Sequence, residues 1–299
     1  MFELWVPITI LAAFSQNQRS IFQKKLQDKM SSISSTYTRF LFGLPFVIIY
    51  FLFLNYFSNT TFQISNINIT FFIYCLFGGL SQIIATFLLL KIFKTSNFSV
   101  ATSYSKTEPI QAALFGFILL NDSISLMGFI GILIGLVGIV ITSIKKLNFK
   151  NIVFNISVLY GLLSGALFGL SAVMFRGASH SLFSLDYVLT SSFTLLIAIS
   201  IQTFILTLYI VFKDIKQFNL LYTNLQDGLT VGFFGALASI CWFYAMSIQN
   251  VAYVRALGQI ELIFTILASI FYFKEKITLR QLIGIFVIFL GLLLILLFK

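Results

Sequence analysis

The sequence predicts an all-α integral membrane protein with ten transmembrane helices, arranged as two inverted five-helix repeats. Three observations support this fold class. The composition is strongly apolar, ten apolar runs are long enough to cross a bilayer, and the second half of the chain repeats the first at a constant spacing.

The composition excludes a water-soluble protein. Of the 299 residues, 59% are hydrophobic and 9% are charged, whereas soluble domains carry roughly a quarter charged residues. The net charge of +10 comes largely from lysines in short loops between apolar runs, where they orient a membrane protein. Because no arginine-rich stretch is interleaved with aromatic residues, we expect no nucleic-acid partner.

A membrane-spanning helix needs about 20 apolar residues, and ten runs reach this length. They cover residues 4–23, 34–55, 69–93, 97–120, 125–143, 153–176, 185–212, 226–247, 250–273 and 278–298. The loops between them are short, so no separate soluble domain is expected. The first run lacks a preceding basic segment and is predicted to be a retained helix, not a signal peptide.

A constant spacing of 153 residues aligns the first helix and the last three helices of the two halves. The matched pairs include acids, asparagines and glycines: Glu108 and Glu261, Asp122 and Glu275, Asn97 and Asn250, Gly131 and Gly284, Gly138 and Gly291. Chance similarity between apolar helices would not match these residue types. The chain is therefore predicted to consist of two five-helix units, residues 1–146 and 147–299. Because five is odd, the second unit enters the membrane from the opposite side.

The loop charges predict the orientation. One side of the membrane collects 13 cations: Lys24, Lys25, Lys29, Lys91, Lys94, Lys145, Lys146, Lys150, Lys213, Lys216, Lys274, Lys276 and Arg280. The other side has only Arg176 and Lys299. Positively charged loops stay in the cytoplasm, so both termini are expected to face outward. The expected location is the inner (plasma) membrane of a bacterium.

Two stretches carry a resemblance to a known family. They are "TEPIQAALFGFILLNDSISLMGFIGILIGLVGIVI" and "QIELIFTILASIFYFKEKITLRQLIGIFVIFLGLLLI". Each resembles the EamA domain of the drug/metabolite transporter superfamily, which has Glu-Pro early in its fourth helix, an acid in the following turn and a glycine-spaced fifth helix. The first half keeps Glu108-Pro109, and the second half replaces the proline by Leu262. The resemblance implies a ten-helix transporter of small metabolites, often an exporter of amino acids or related compounds.

Glu108 and Glu261 lie near the centres of their apolar runs. An ionisable group at the bilayer centre costs roughly 3 kcal/mol on insertion scales, so it normally faces a cavity or a partner. One interpretation is that these acids bind a proton or a cationic group of the substrate. The alternative is that each acid holds an internal cation or caps backbone at a broken helix. Both remain open from the sequence.

Two cations, Lys106 and Arg255, also lie deep in the apolar runs, and their counterparts in the repeat are Gln259 and Thr102. Arg255 and Gln259 share a helix face at a spacing of four residues. A fixed cation there suits a carboxylate or phosphate of the substrate, and an internal ion pair with a glutamate is the alternative. Both interpretations hold together if a glutamate neutralises the cation until an anionic substrate displaces the glutamate.

The remaining candidates for substrate binding are polar or aromatic residues on the same helices: Gln16, Asn17, Gln82, Tyr104, Ser239, Trp242 and Tyr253. Arg19 and Arg39 lie toward the cytoplasmic helix ends and are expected to snorkel to the interface or contact lipid headgroups, with substrate binding as the less favoured alternative. Pro109 in a helix interior is expected to produce a kink or a local opening of its helix, because proline removes an amide donor and clashes with the carbonyl of Ser105.

Glycines spaced by four in two helices favour close helix packing within the bundle over dimerisation. A monomer is therefore the expected state, although a dimer remains an alternative. The spaced glycines are Gly131 and Gly135 in the fifth helix and Gly161, Gly165 and Gly169 in the sixth.

The chain is not expected to be an enzyme or to hold a cofactor or metal. His180 is the single histidine, Cys75 and Cys241 are far apart, and no phosphate-binding loop is present. The sequence therefore predicts a secondary transporter that moves an amino acid or related zwitterion or anion by alternating access, with export favoured and protons as candidate coupling ions. Alternatives are a lipid-linked or isoprenoid carrier or scramblase, and an importer or exchanger of a nucleoside, vitamin or organic cation. Its expected partners are this substrate and the lipid bilayer.

Overall fold

A computed structural model describes residues 3–57, 67–95, 105–143, 156–182, 186–271, 274 and 278–298. Within these ranges the chain forms helices and connecting turns, with no β-strand. Six helical segments are long and apolar enough to cross a membrane: Ser32–Phe57, Ile69–Lys94, Leu159–His180, Tyr187–Lys213, Leu225–Ile248 and Val251–Ala268. Leu126–Ile141 and Leu282–Phe298 are shorter apolar helices. The prediction of an all-α membrane protein is confirmed at this level.

The α-helices of the described ranges are numbered here in chain order. They are α1 (Trp5–Leu26), α2 (Ser32–Leu41), α3 (Leu44–Phe57), α4 (Ile69–Thr95), α5 (Glu108–Leu120), α6 (Leu126–Ser143), α7 (Ile156–His180), α8 (Tyr187–Lys213), α9 (Gln217–Thr223), α10 (Leu225–Ile248), α11 (Val251–Leu257), α12 (Glu261–Phe271) and α13 (Leu279–Phe298). Single turns of 3₁₀-helix, Ser105–Thr107 and Gly258–Ile260, directly precede α5 and α12.

The expectation of ten continuous spans needs correction. A turn at Phe42–Gly43 divides the second run into α2 and α3, and there the backbone of Phe42 packs onto Gly232, where a side chain would leave no room. In the ninth run the 3₁₀ turn Gly258–Ile260 separates α11 from α12, and in the fourth run the 3₁₀ turn Ser105–Thr107 directly precedes α5. The sequence analysis also missed α9, a short helix between two spans.

Matching elements of the two halves begin at matching positions. Glu108 begins α5 and Glu261 begins α12, and Leu126 and Leu279 likewise begin α6 and α13. Each first helix packs on the other half: α1 contacts α10 and α12, and α7 contacts α4 and α5. The predicted boundary at residues 146–147 lies outside the described residues, as do Asn97, Thr102, Tyr104 and Glu275.

Glycines bring α6 and α13 into backbone contact. A Cβ atom on Gly131 would lie 2.8 Å from the carbonyl oxygen of Gly291, and one on Gly138 would lie 2.7 Å from that of Gly284. The two helices therefore run antiparallel. Gly284 is the counterpart of Gly131 and Gly291 is the counterpart of Gly138, so the contacts are reciprocal, as about a two-fold axis.

Candidate functional site

Two buried acids each occupy the first turn of a helix that starts inside the bundle. Glu108 begins α5 and is 7% exposed, and Glu261 begins α12 and is 1% exposed. The positive end of the helix dipole stabilises a carboxylate at this position. A single 3₁₀ turn directly precedes each acid, and in the second half the backbone amide of Glu261 donates to the carbonyl of Gly258. The sequence therefore places both carboxylates at the start of a helix, the end at which a negative charge is favoured.

Glu261 is held by side chains from two other segments. Lys106, in the turn before α5, forms a buried ion pair with its carboxylate. Gln16 of α1 donates a hydrogen bond from Nε2 to Glu261 Oε2 at 2.7 Å. Gln259 donates from Nε2 to the backbone carbonyl of Lys106 at 3.2 Å, which ties together the two turns that carry the pair.

Glu108 has a different cation. Arg255 of α11 places Nε 3.0 Å from Glu108 Oε1, and its guanidinium lies 4.5 Å from the centroid of the Trp242 ring. Trp242 in turn donates from Nε1 to Gln16 Oε1 at 3.0 Å. Gln16 therefore joins the two ion pairs into one continuous network running from Glu108 to Lys106.

The two ion pairs are reciprocal between the halves of the chain. Lys106 of the first half pairs with Glu261 of the second, and Arg255 of the second half pairs with Glu108 of the first. The network surrounds a cavity of about 10 Å³, lined by Gln16, Lys106, Glu108, Pro109, Trp242, Arg255, Gly258, Gln259 and Glu261. Such a volume accommodates about one water molecule. In this conformation the protein's own charged side chains fill the site and leave no room for a larger molecule.

The expected role of Pro109 as an interior kink is wrong. Pro109 is the second residue of α5, a position where proline is tolerated because the first-turn amides have no helical partner. The second half has Leu262 there, yet its helix breaks at the same place. Proline is therefore not the cause of the break. Gly258 in the second break lets the Trp242 ring approach, since a Cβ atom would collide with the indole.

Seven of the twelve predicted binding residues line this cavity: Gln16, Lys106, Glu108, Trp242, Arg255, Gln259 and Glu261. Asn17 lies beside them and donates to Thr265 Oγ1 at 2.8 Å. Ser239 is buried on α10, and Gln82 Oε1 accepts a hydrogen bond from Gln202 Nε2 at 2.9 Å. Tyr104 lies outside the described residues.

Tyr253 is not brought to the cavity. Its hydroxyl accepts a hydrogen bond from the backbone amide of Ser125 at 2.9 Å, in the turn before α6. It therefore ties α11 to that turn, at the end of the bundle opposite the lysine-rich loops.

The expectation that Arg19 and Arg39 snorkel to an interface is wrong. They are only 2% and 4% exposed, because α10 covers them through Gly235. Neither arginine is therefore exposed at the bundle surface, where it could contact a lipid headgroup. The sequence contained one usable signal: Arg19 follows Gln16 by three residues and shares its helix face.

A further ion pair, which the sequence analysis missed, closes the end of the bundle opposite the lysine-rich loops. Arg176 near the end of α7 places Nε 3.3 Å from Asp122 Oδ2. Its Nη1 donates to the carbonyl oxygen of Met246 at 2.6 Å and also to that of Gln249. Arg176 therefore caps the C-terminus of α10 with charge-assisted hydrogen bonds. In the described ranges no three His, Cys, Asp or Glu side chains converge as a metal site would require.

Comparisons with known proteins bear on the family and the fold of the chain. The sequence profile of the EamA-like transporter family matches the chain twice, over residues 3–144 and 155–297. No functionally curated protein matches at a significant level. One crystal structure is similar with a TM-score of 0.65 and 15% sequence identity, covering 96% of this chain and 99% of that one. At this identity the likeness concerns the fold alone.

Proposed function

The chain belongs to the EamA-like transporter family, and from that premise we propose that it moves a small zwitterionic or anionic metabolite, such as an amino acid, across the membrane by alternating access. The observation that carries the substrate class is the reciprocal pair of buried ion pairs, Lys106 with Glu261 and Arg255 with Glu108. Together they offer fixed charges of both signs around one closed cavity.

A zwitterion can replace the protein's own ion pairs. Its carboxylate takes the place of a glutamate beside Lys106 or Arg255, and its ammonium group takes the place of a cation beside Glu108 or Glu261. Buried charges stay paired in both states, which avoids the several kcal/mol that an unpaired buried ion costs. The cavity of about 10 Å³ is too small for a metabolite, so binding requires the two halves to separate there.

The two halves act as inverted units of five helices each in this proposal, with both acids at the discontinuous helices between them. α6 and α13 brace the outside through their glycine contacts while the halves rock. A substrate shifts this equilibrium only if it binds one state more tightly than the other. The proposed location is a bacterial inner membrane, with export as the direction and protons as the coupling ions.

Transport in proteoliposomes tests the proposal. Purified protein should catalyse counterflow of at least one labelled amino acid or small organic anion, recovered chemically unmodified. Glu108→Gln and Glu261→Gln should abolish accumulation driven by a proton gradient. If both single variants and the double variant keep gradient-driven accumulation, neither acid couples transport. If no such solute moves, the carrier proposal itself is wrong.

A charge swap separates binding from scaffolding. The double variant Lys106→Glu with Glu261→Lys restores an ion pair of opposite polarity between the same two positions. If the pair serves folding alone, the swap should recover both expression and counterflow lost in the single variants. If the pair binds substrate, the swap should recover expression but not counterflow, because the cation and the acid have exchanged places. The direct comparison is each single variant, which leaves two like charges facing each other.

A further inference from the structure

We propose that Arg19 and Arg39 form a second subsite, which binds an oxyanion group of the transported molecule, a carboxylate or a phosphate. The substrate is then an organic anion whose oxyanion lies beyond the group held by the central ion pairs. This inference rests on the proposed transport function and narrows its substrate class.

The interior has more cations than acids. Six charged side chains are buried among the described residues: Arg19, Arg39, Lys106, Arg255, Glu108 and Glu261. Lys106 and Arg255 form ion pairs with both acids, so Arg19 and Arg39 form no ion pair with a buried acid within the described part of the chain, although Glu261 is near enough to attract Arg19. An uncompensated ion in a protein interior costs several kcal/mol. A bound anion is the natural compensation.

Arg19 is the clearest sign of a missing ligand. It is 2% exposed, and its Nε and Nη1 atoms have no hydrogen-bond partner among the residues that the structure describes. Ser15, one turn earlier on the same face of α1, is fully buried, and its hydroxyl has no partner in the same ranges. Two side chains on one helix face thus have unsatisfied donors within the described residues, whereas buried polar groups normally have partners.

Arg39 completes the site from α2. Both arginines pack against Gly235 of α10, where a Cβ atom would lie 3.3 Å from Arg39 Cγ and 3.5 Å from Arg19 Cδ. The Nη1 atom of Arg39 donates to Thr86 Oγ1 at 3.1 Å, an acceptor without charge. Thr86 in turn donates to the backbone carbonyl of Gln82 at 2.8 Å, which fixes this wall of the subsite.

The position of the subsite defines the shape of the substrate. Gln16 binds Glu261, and Arg19 lies three residues further along α1, which is about 4.5 Å toward the lysine-rich end. A molecule that spans the two places carries one charged group at the ion pairs and an oxyanion about one helical turn away. Guanidinium groups bind carboxylate and phosphate through two parallel hydrogen bonds, which suits this second group.

Fluorescence of Trp242 provides a direct binding assay, because this indole bonds to Gln16 beside the subsite. Trp5 is the only other tryptophan, so Trp5→Phe gives a single-reporter background. In detergent at constant ionic strength, this protein should show saturable changes with succinate, glycerol 3-phosphate or inorganic phosphate. Glycerol should give none. Arg19→Met and Arg39→Met should each weaken the apparent affinity at least tenfold, and Arg19→Lys should weaken it less than Arg19→Met.

Thermal stability supplies an independent readout and the controls. Arg19→Met should raise the melting temperature without ligand, because it removes an uncompensated charge. Arg176→Met should lower it, because that arginine is paired with Asp122. Lys29→Met removes an equal charge from a half-exposed position and should leave anion affinity unchanged. If both arginine variants keep the affinity of the parent, or if the parent responds to no anion, the subsite is wrong.

Two further experiments identify the source of the oxyanion and distinguish a failure of the subsite from a failure of the transport proposal. In nanodiscs, phosphatidylglycerol in place of phosphatidylcholine should leave the response to succinate unchanged. Competition by phosphatidylglycerol would assign the subsite to a lipid headgroup and overturn the soluble substrate. Counterflow that persists in Arg19→Met with unchanged half-saturation would overturn the subsite while leaving the carrier intact.

Discussion

The two acid-bearing breaks share one plan but differ in their surroundings. In both halves a 3₁₀ turn leads into a helix that begins at a buried glutamate. Glu261 is held by Lys106 and by Gln16, whereas Glu108 faces Arg255, which also stacks on Trp242. The acid and the break are therefore the repeated elements. The cations and the polar residues around them have diverged between the halves.

The difference indicates which half of the chain is destabilised more when its buried glutamate is neutralised. Lys106 has one direct counter-charge, Glu261, in the described structure. Arg255 retains the face of Trp242 if Glu108 is neutralised, and a buried cation over an aromatic ring is stabilised by about 2 kcal/mol. The second-half acid should therefore be the more sensitive of the two, and four substitutions test this asymmetry.

The largest effect is expected for Glu261→Gln. Neutralising this acid leaves Lys106 buried without a counter-charge and should lower the free energy of unfolding by about 3–5 kcal/mol. Glu108→Gln should cost less, because Arg255 keeps its contact with the Trp242 ring. Unfolding in mixed micelles measures both. Equal losses in the two variants would show that the halves are energetically equivalent.

A smaller effect is expected for Gln16→Met, which preserves the length of the side chain but removes both hydrogen bonds of its amide group. The bond to the charged Glu261 dominates, so the loss should be about 1.5–3 kcal/mol. Asn17→Leu is the matched control on the same helix and should cost about 1 kcal/mol. The side-chain amide of Asn17 donates its hydrogen bond to the neutral hydroxyl of Thr265. A larger loss for Asn17 than for Gln16 would mean that the network does not depend on charge.

Trp242→Phe should have a still smaller effect on stability. An aromatic ring that can face Arg255 remains, while the hydrogen bond to Gln16 Oε1 and part of the indole packing against Gly258 are lost, which corresponds to about 1–2 kcal/mol. Trp242→Ala should cost several times more, since it removes the ring as well. The thermal unfolding of the two variants distinguishes these contributions, and similar losses would rule out a role for the aromatic face.

The smallest effect is expected for Pro109→Leu, which gives the first break the residue that the second has at Leu262. Because Pro109 lies in the first turn of α5, the free energy of unfolding should change by less than about 1 kcal/mol. The reciprocal variant Leu262→Pro is the companion measurement and should be similarly mild. A loss of about 3 kcal/mol in either would indicate an interior helix position instead.

Much of this arrangement could be predicted from the sequence. The spacing between Glu108 and Glu261 identified the repeated acids, and their depth in apolar runs indicated a shared polar interior. Hydropathy could not reveal the helix breaks, because it measures transfer into lipid and not hydrogen-bond continuity. The sequence pattern also placed Arg19 and Arg39 wrongly, at the membrane interface. Their burial depends on Gly235, which is remote in sequence and meets them only after α10 has packed.

The closed cavity has an electrical consequence. A cavity of about 10 Å³ has room for about one water molecule, so no file of water can pass through the network at this point. Protons and other ions move through proteins along such files. We therefore expect little leak of protons or other ions through this cavity in the present conformation, so that the ion pairs would help a membrane potential to persist while the protein is idle.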